Sequence, residues 1–542
     1  MGIGYTIDTP LKVSQYGISS VISLVDDMLI EKIRKMYCLK NSLQYDEIGE
    51  NTEDYRAKRI TSYLNMIKQL AEKNFEKFKT KGREMGSIDV NIMTKIDRIN
   101  FKNGTQLSSE FNDAHAAIRG YAKSDLCSTI ILSAGMNPSL YGYIENFKDF
   151  FPDKSGFIKK KIAIKVSDYR SAIIQGKFLA KKGLWVSEFR IESGLNCGGH
   201  AFATDGYLMG PILEEFLTKR NELNDAMYEL YVVALSNAGR NVPDSSLPLK
   251  ITAQGGVGTA EEHRFLLDHF HLDSIGWGTP FLLVPEVTNV DEETLNLLRD
   301  AKESDLCLSN ISPLGVPFNN LRKNTKDVIK DLRINKGVPG SPCPKSYVAL
   351  NNEFTEKGIC TASRQYQCMK IRELDAENLS ENEYKERYDK IVEKSCICVG
   401  LGTSALLVND LDTKTEGPGV SICPGPNMAY FSKIMTLKQM IDHIYGKSDM
   451  ITRKDRPNMF VKELNIYMDY LKERIEETKK SFSVKQVKYL TTFASNMNDG
   501  IEYYQNLFST GDYFKKSKKT ILMNLFESKM AMSCLCSQIS KL

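Results

Sequence analysis

The chain has little net charge, few histidines and no long apolar run. Its 72 Lys and Arg against 68 Asp and Glu leave a net charge of +4 on 542 residues, too thin for the basic stripe that nucleic-acid binding requires. No uninterrupted apolar stretch approaches the ~18 residues of a membrane span, and the N-terminus lacks the basic-then-apolar order of a secretory signal. A cytoplasmic enzyme without membrane or nucleic-acid partners is therefore expected. None of the six histidines is spaced as a metal pair. His263, His269 and His271 lie on or just after one helical stretch, and His115 and His443 sit in mixed polar segments. The twelve cysteines contain no C-x-x-C pair. Six fall in one region, Cys343, Cys360, Cys368, Cys396, Cys398 and Cys423, but the C-x-C at 396 and 398 has no matching second knuckle. Reduced thiols and no metal centre are the expectation. There is no internal repeat. The final Ser540-Lys541-Leu542 matches a peroxisomal address, with chance occurrence the preferred reading in a chain this rich in Lys and Ser.

What is present begins with two glycine-rich stretches, Thr252 to Thr259 (TAQGGVGT) and Ser274 to Thr279 (SIGWGT), each attached to a short apolar run. Glycine lets backbone N–H groups approach an anion, and a following helix adds its positive end. Thr259-Ala260-Glu261-Glu262 reads as a capping box, after which Phe265, Leu266 and Phe270 recur at helical spacing. Two such loops in succession suit the ends of consecutive strands in a β/α barrel that grip one phosphate. The grip is expected from the amides of Gly255, Gly256, Val257 and Gly258 and from Gly278 and Thr279, because Glu261 and Glu262 would repel a phosphate.

Asn196-Cys197-Gly198-Gly199-His200 follows the strand-like run Leu184, Trp185, Val186, Phe189, Ile191. A histidine just past a strand end stands where barrel enzymes keep catalytic groups. Gly198 and Gly199 would let the chain pass close to a flat ring system, and Cys197 could touch substrate or simply pack. His200 is the candidate base or acid at a carbon acid. Lys165 ends the apolar run Ile162, Ala163, Ile164, where a cation needs an anionic partner. That partner is either a bound anion or a carboxylate such as Asp168 or Glu192.

Strand-like runs at 19–24, 89–93, 128–133, 161–166, 185–191, 249–253, 274–277 and 305–310 alternate with helical stretches, the pattern of an α/β TIM (β/α)8 barrel. The expected organisation is a barrel over 1–335 with a helical insertion at about 39–86, a Cys-containing loop-rich segment over 336–437, and a helical region over 438–542. In the last, Phe460, Leu464, Tyr467, Leu471 and Ile475 form one apolar face. Such a face packs on its own domain, covers the site as a lid, or makes a homo-dimer contact.

MGIGYTID at the N-terminus, DVNIM at 89–93, NCGGHAF around His200, TAQGGVGT, IGWGTPFL and SPLGVPF at 312–318 occur in an order that resembles the nitronate monooxygenase family, formerly the 2-nitropropane dioxygenases. That family is in turn similar to FMN-dependent enoyl-ACP reductases. The resemblance spans roughly residues 1–435 and implies a TIM barrel with non-covalent FMN. It implies His200 as the base near the flavin, Gly256 with Gly278 and Thr279 at the phosphate, and Met1, Gly2 and Asn91 along the isoalloxazine. CPKSYVALNNEF and CICVGLG look like cysteine-containing segments that close the site in some members. The chain departs from the family in starting at the MGIG motif, in the long charged stretch from Leu39 to Gly86, and in the residues after Lys438. The function implied is oxidation of a nitronate or similar small carbon acid, with oxygen as co-substrate. Alternatives are an NAD(P)H-dependent enoyl-thioester reductase and a flavin-binding scaffold.

Overall fold

The computed structural model describes residues 4–24, 26–78, 82, 84–194, 196, 198–201 and 204–542; Met1, Gly2 and Cys197 lie outside them. Seven parallel strands form the centre: β1 (Ser20–Ser23), β2 (Ile88–Ile92), β3 (Ser128–Leu132), β4 (Lys160–Val166), β5 (Val186–Ile191), β6 (Lys250–Gln254) and β7 (Ser274–Gly276). They pair in chain order, from Ser20 opposite Ile88 at one edge to Ala253 opposite Ile275 at the other. Ile130, Ile131, Ile162, Ala163, Ile164 and Phe189 are buried on successive positions, the near-continuous apolar run of strands covered on both faces. Because every strand points the same way, all seven C-terminal ends share one rim.

The sheet curls but stays open, which corrects the expectation of a closed eight-stranded barrel. The run read at 305–310 does form a strand, β8 (Leu306–Ser309), yet it pairs antiparallel with β9 (Phe318–Leu321) in a separate two-stranded ribbon. The cause is local. Gly315 adopts φ +69° and its amide returns to Ser312 O, so the SPLG turn folds the chain back and gives β8 its partner nine to fifteen residues away. Residues 279–301 and this ribbon instead build a second core, in which Tyr5, Leu283, Leu298, Phe318, Leu401, Met428 and Phe431 are buried together.

Helices clothe the rest. Asp26 caps α1 (Asp27–Lys40) by accepting from Leu29 N. The charged stretch read at 39–86 contains α2 (Tyr55–Phe78), whose Ile60, Tyr63, Leu64, Ile67 and Ala71 are buried. It lies against α3 (Asp113–Ala122) so closely that a Cβ on Gly120 would come within 2.7 Å of Ile60. α4 (Ala260–Phe270) follows β6 with the capping box read from Thr259 and Glu262, and α5 (Ile397–Val408) is buried over most of its length.

The three C-terminal helices, α6 (Met459–Lys480), α7 (Val484–Thr510) and α8 (Lys518–Ile539), pack on this same body. Phe460, Leu464, Tyr467, Leu471 and Ile475 are each no more than 1% exposed, so this chain itself covers the apolar face that a lid or dimer contact would need. Phe265 of α4 meets Phe460 edge to face at 5.8 Å. Gly194 N donates to Tyr467 Oη at 3.0 Å, and a Cβ on Gly194 would strike that ring at 2.3 Å. Glu463 is fully buried and accepts from Met209 N and Tyr504 Oη.

Burial raises the Glu463 carboxyl from 4.5 to about 7. Between those values the folded chain keeps a proton that the unfolded chain has lost, so stability falls as pH rises through the interval and stays lowered above it. Glu463→Gln is expected to abolish that slope and to raise stability at pH 8 by on the order of 2–3 kcal/mol. Urea unfolding at pH 5 and pH 8 measures both, and an unchanged pH slope in the variant refutes the assignment.

Candidate active site

The shared rim gathers the polar side chains. Asn91 and Lys165 lie near the ends of β2 and β4, Glu192 follows β5 and Gln254 ends β6. Lys165 Nζ pairs with Glu192 Oε2 at 3.1 Å, and Gln254 donates to the same carboxylate. Glu192 is one of the two carboxylates that the sequence offers Lys165. Asn91 Nδ2 donates to Ser23 Oγ at 3.3 Å, which orients the amide across the first two strands.

His200 reaches this rim from the loop after β5. That loop is pinned from below: Gly194 to Tyr467, and Asn196 Nδ2 to His200 O at 2.6 Å. The imidazole Nε2 lies 2.7 Å from Ser312 Oγ, and the ring meets Phe318 at 5.0 Å in an edge contact. Ser312 Oγ already accepts from Leu314 N. Donation of its proton to Nε2 completes its bonding and leaves Nδ1 protonated, a tautomer assigned from the network. The His200 pKa is pulled from 6.5 down to about 4, first by burial and then by the positive charges of Lys95 and Lys165. At neutral pH it is an uncharged imidazole.

The glycine loops need correcting in detail. Gly255 and Gly256 adopt φ +98° and +78°, which fits the role given to them. The carbonyls of Gly256 and Val257 both accept from Asn427 Nδ2, so the N–H of the peptide joining them points the opposite way. Gly258 is not free to hold an anion. Its amide donates to Glu262 Oε2 at 2.9 Å, and Arg456, bound to Glu262 at 2.7 Å, lies so close that a Cβ on Gly258 would meet its guanidinium at 2.6 Å. The glutamate that sequence reading set aside as repelling phosphate has thus taken the donor itself. Gly278 has an ordinary φ of −123°, and Thr279 Oγ1 accepts from Gly425 N. Gly198, at φ +123°, is required for another reason than a flat ring: a Cβ there would sit 2.0 Å from Cys423 O. Gly199, at φ +81°, has open space above its Cα.

Residues 423–427 touch both loops, through Pro424 bridged to Gly198 and Asn427 bound to the glycine loop. Sequence reading missed Lys95, Ser312, Asn427 and Arg456. Lys95 carried a legible signal, a cation just past a strand end. Arg456 carried none, since its partner Glu262 is 194 residues away.

Two outcomes are expected. An NMR histidine titration should find His200 neutral down to about pH 4, with Lys95→Gln raising that value; a midpoint near 6.5 in the unmodified protein contradicts the reading. Arg456→Ala leaves Glu262 buried without its countercharge and should cost about 3–5 kcal/mol in denaturant unfolding, whereas Arg456→Ala with Glu262→Gln should recover much of the loss.

No protein-family model matches the chain, and no curated protein matches it. Among solved structures, it overlaps the enoyl reductase domain of MlnA from the macrolactin biosynthesis cluster of Bacillus amyloliquefaciens over 85% of this chain and 95% of that one, with 14% identity and a TM-score of 0.38. An overlap that loose carries no functional argument, so the molecule stands as an α/β protein with an open parallel sheet, and its chemistry rests on the rim.

Proposed function

We propose that the protein is an FMN-dependent oxidoreductase acting on a small anionic carbon acid of the nitronate type. The observation that carries this reading is the neutral His200, bonded to Ser312 and acted on by Lys95 and Lys165, on the rim where the positive-φ glycines follow β6. The residues fit a flavin phosphate at the peptide of Gly256 and Val257, with Thr279 nearby, and oppose one at Gly258. Lys165 is tied to Glu192; Lys95, whose pKa burial lowers, is the second cation. FMN, when bound, would accept the substrate's electrons and return them to oxygen.

The protein's own part is electrostatic. Two lysines favour an anion at the rim, and the half-buried setting of His200 strengthens their pull. A histidine titrating near pH 4 is a weak base, so its role is to hydrogen-bond and orient an anion that arrives already formed, with Ser312 fixing the ring. A second reading has one observation behind it. Lys95, whose proton burial makes easier to give up, could deliver it to the α-carbon of an unsaturated thioester reduced with electrons from NAD(P)H.

The purified chain should release FMN on heat denaturation, identified by mass spectrometry, and a bulky residue at Gly256 should prevent its uptake. His200→Ala should keep the flavin spectrum while turnover falls by about 10²-fold or more. Anaerobic stopped-flow separates the two readings: bleaching by a nitronate supports the first, bleaching by NAD(P)H the second. A protein that neither carries nor takes up flavin refutes both.

A further inference from the structure

A cavity of about 400 Å³ lies between the loop after β2 and the loop-rich segment, lined by residues 98–101 on one side and by parts of 341–365 on the other. Its charged lining is Arg98, Lys357 and Arg364, with no carboxylate among the lining residues. Neither His200 nor the glycine loops line it.

The walls are fixed by the fold. Arg98 Nη1 donates to the carbonyls of Lys345 and Ser346 at 3.3 and 3.1 Å, and its Nη2 to Asn100 Oδ1 at 3.1 Å. Lys345 is in turn bound to Asp26, just after β1, at 2.6 Å. The cavity therefore stands on the same strand-end rim as His200. On the opposite wall Asn351 and Ile359 exchange backbone hydrogen bonds of 3.1 and 2.8 Å. Gly358 there takes φ +70°, and a Cβ on it would come within 2.8 Å of Ala349 O. Ser341 N donates to Ala362 O at 3.0 Å and Arg364 N to Ser341 O at 2.8 Å, which brings the start of the helix Arg364–Asp375 to the cavity.

The positive charge is left over from the protein's own pairing. Asp113, the partner of Arg98, is shared with Arg56 and does not line the cavity. Among the described residues Lys357 and Arg364 have no ion-pair partner, and Lys357 Nζ lies over the Phe101 ring at 5.4 Å. Ser363 caps the helix by accepting from Tyr366 N at 3.1 Å, so its own hydroxyl proton is left to donate, and the helix adds its positive end. One unpaired surface cation is ordinary. Three cations and a helix N-terminus around one cavity repel one another, and a bound anion relieves that repulsion.

Size and the uncharged lining select the anion. Cavities that take small organic ligands span roughly 300–1,000 Å³, so this one has room for much more than a bare ion. A phosphate carries close to two charges and three acceptor oxygens, a better match to two unpaired cations and a helix end than a single carboxylate. Ile99, Phe101, Pro342 and Ile359 give the cavity an apolar wall, and an aromatic face stacks on a flat ring.

We propose that this cavity binds a nucleoside phosphate, with the phosphate at Lys357, Arg364 and Ser363 and the base along Phe101 and Ile359. Binding draws the Lys357 ammonium from the Phe101 face to the phosphate, and the base takes its place. The proposal does not depend on the flavin reading, and its test alters no residue of the His200 site.

The test is calorimetric titration of the full chain with ADP, UDP and inorganic phosphate. At least one nucleotide should saturate a single site and raise the melting temperature, and inorganic phosphate should bind about tenfold more weakly because it lacks the stacked base. Lys357 and Arg364 are exposed, so their replacement spares the core. Lys357→Gln and Arg364→Gln should each weaken nucleotide binding about tenfold, while Lys529→Gln on α8, which removes the same charge elsewhere, should leave it unchanged. Failure of both nucleotides to bind, inorganic phosphate binding as tightly as either, or full affinity in both cavity variants would overturn the proposal.

Discussion

Glu262 is the buried charge on which three distant sections of the chain meet. Its carboxylate accepts from Gly258 N and Thr259 N at the glycine loop, pairs with Arg456, and accepts from Met459 N at the start of α6. Arg456 in turn reaches Gly256 O and Asn427, so the loop after β6, residues 423–427 and the C-terminal helices are fixed by one ion pair that is almost free of solvent. A charge buried so deeply is tolerable only when every lone pair is used, and here the helix cap and the backbone amides use them. The same economy explains why the C-terminal helices are part of the body.

Around the rim, electrostatics decides what the site favours. Parallel pairing brings the C-terminal ends of all seven strands together, and with them Lys95, Lys165, Glu192 and His200. Glu192 neutralises one lysine in place, which leaves a modestly positive rim instead of a strongly charged one. Desolvation then keeps His200 uncharged. An imidazole in that state is a weak base at neutral pH.

A second buried charge cluster ties the cysteine segment to the sheet. Lys345 Nζ bonds Asp26 at 2.6 Å and Glu416 at 3.0 Å, all three with no exposed side-chain surface. Tyr347 also donates to Asp26. Asp26 caps α1 directly after β1, so the 343–347 stretch is locked to the first strand.

The sequence by itself determined the local features. Strands β1 to β7 were legible because buried apolar runs bounded by turn residues have few other uses, and the Thr259–Glu262 capping box was legible because both its bonds lie within four residues. His200 and the glycine loops were recognisable as site candidates from their place after strands. The tertiary structure alone decided what depended on distant partners. That β8 would leave the sheet followed from its partner in β9. That Gly258 would be withdrawn from anion binding followed from Glu262 turning inward under Arg456, a pairing no spacing encodes. Periodicity and capping are written in neighbouring residues, whereas ion pairs and sheet closure are written in which surfaces meet.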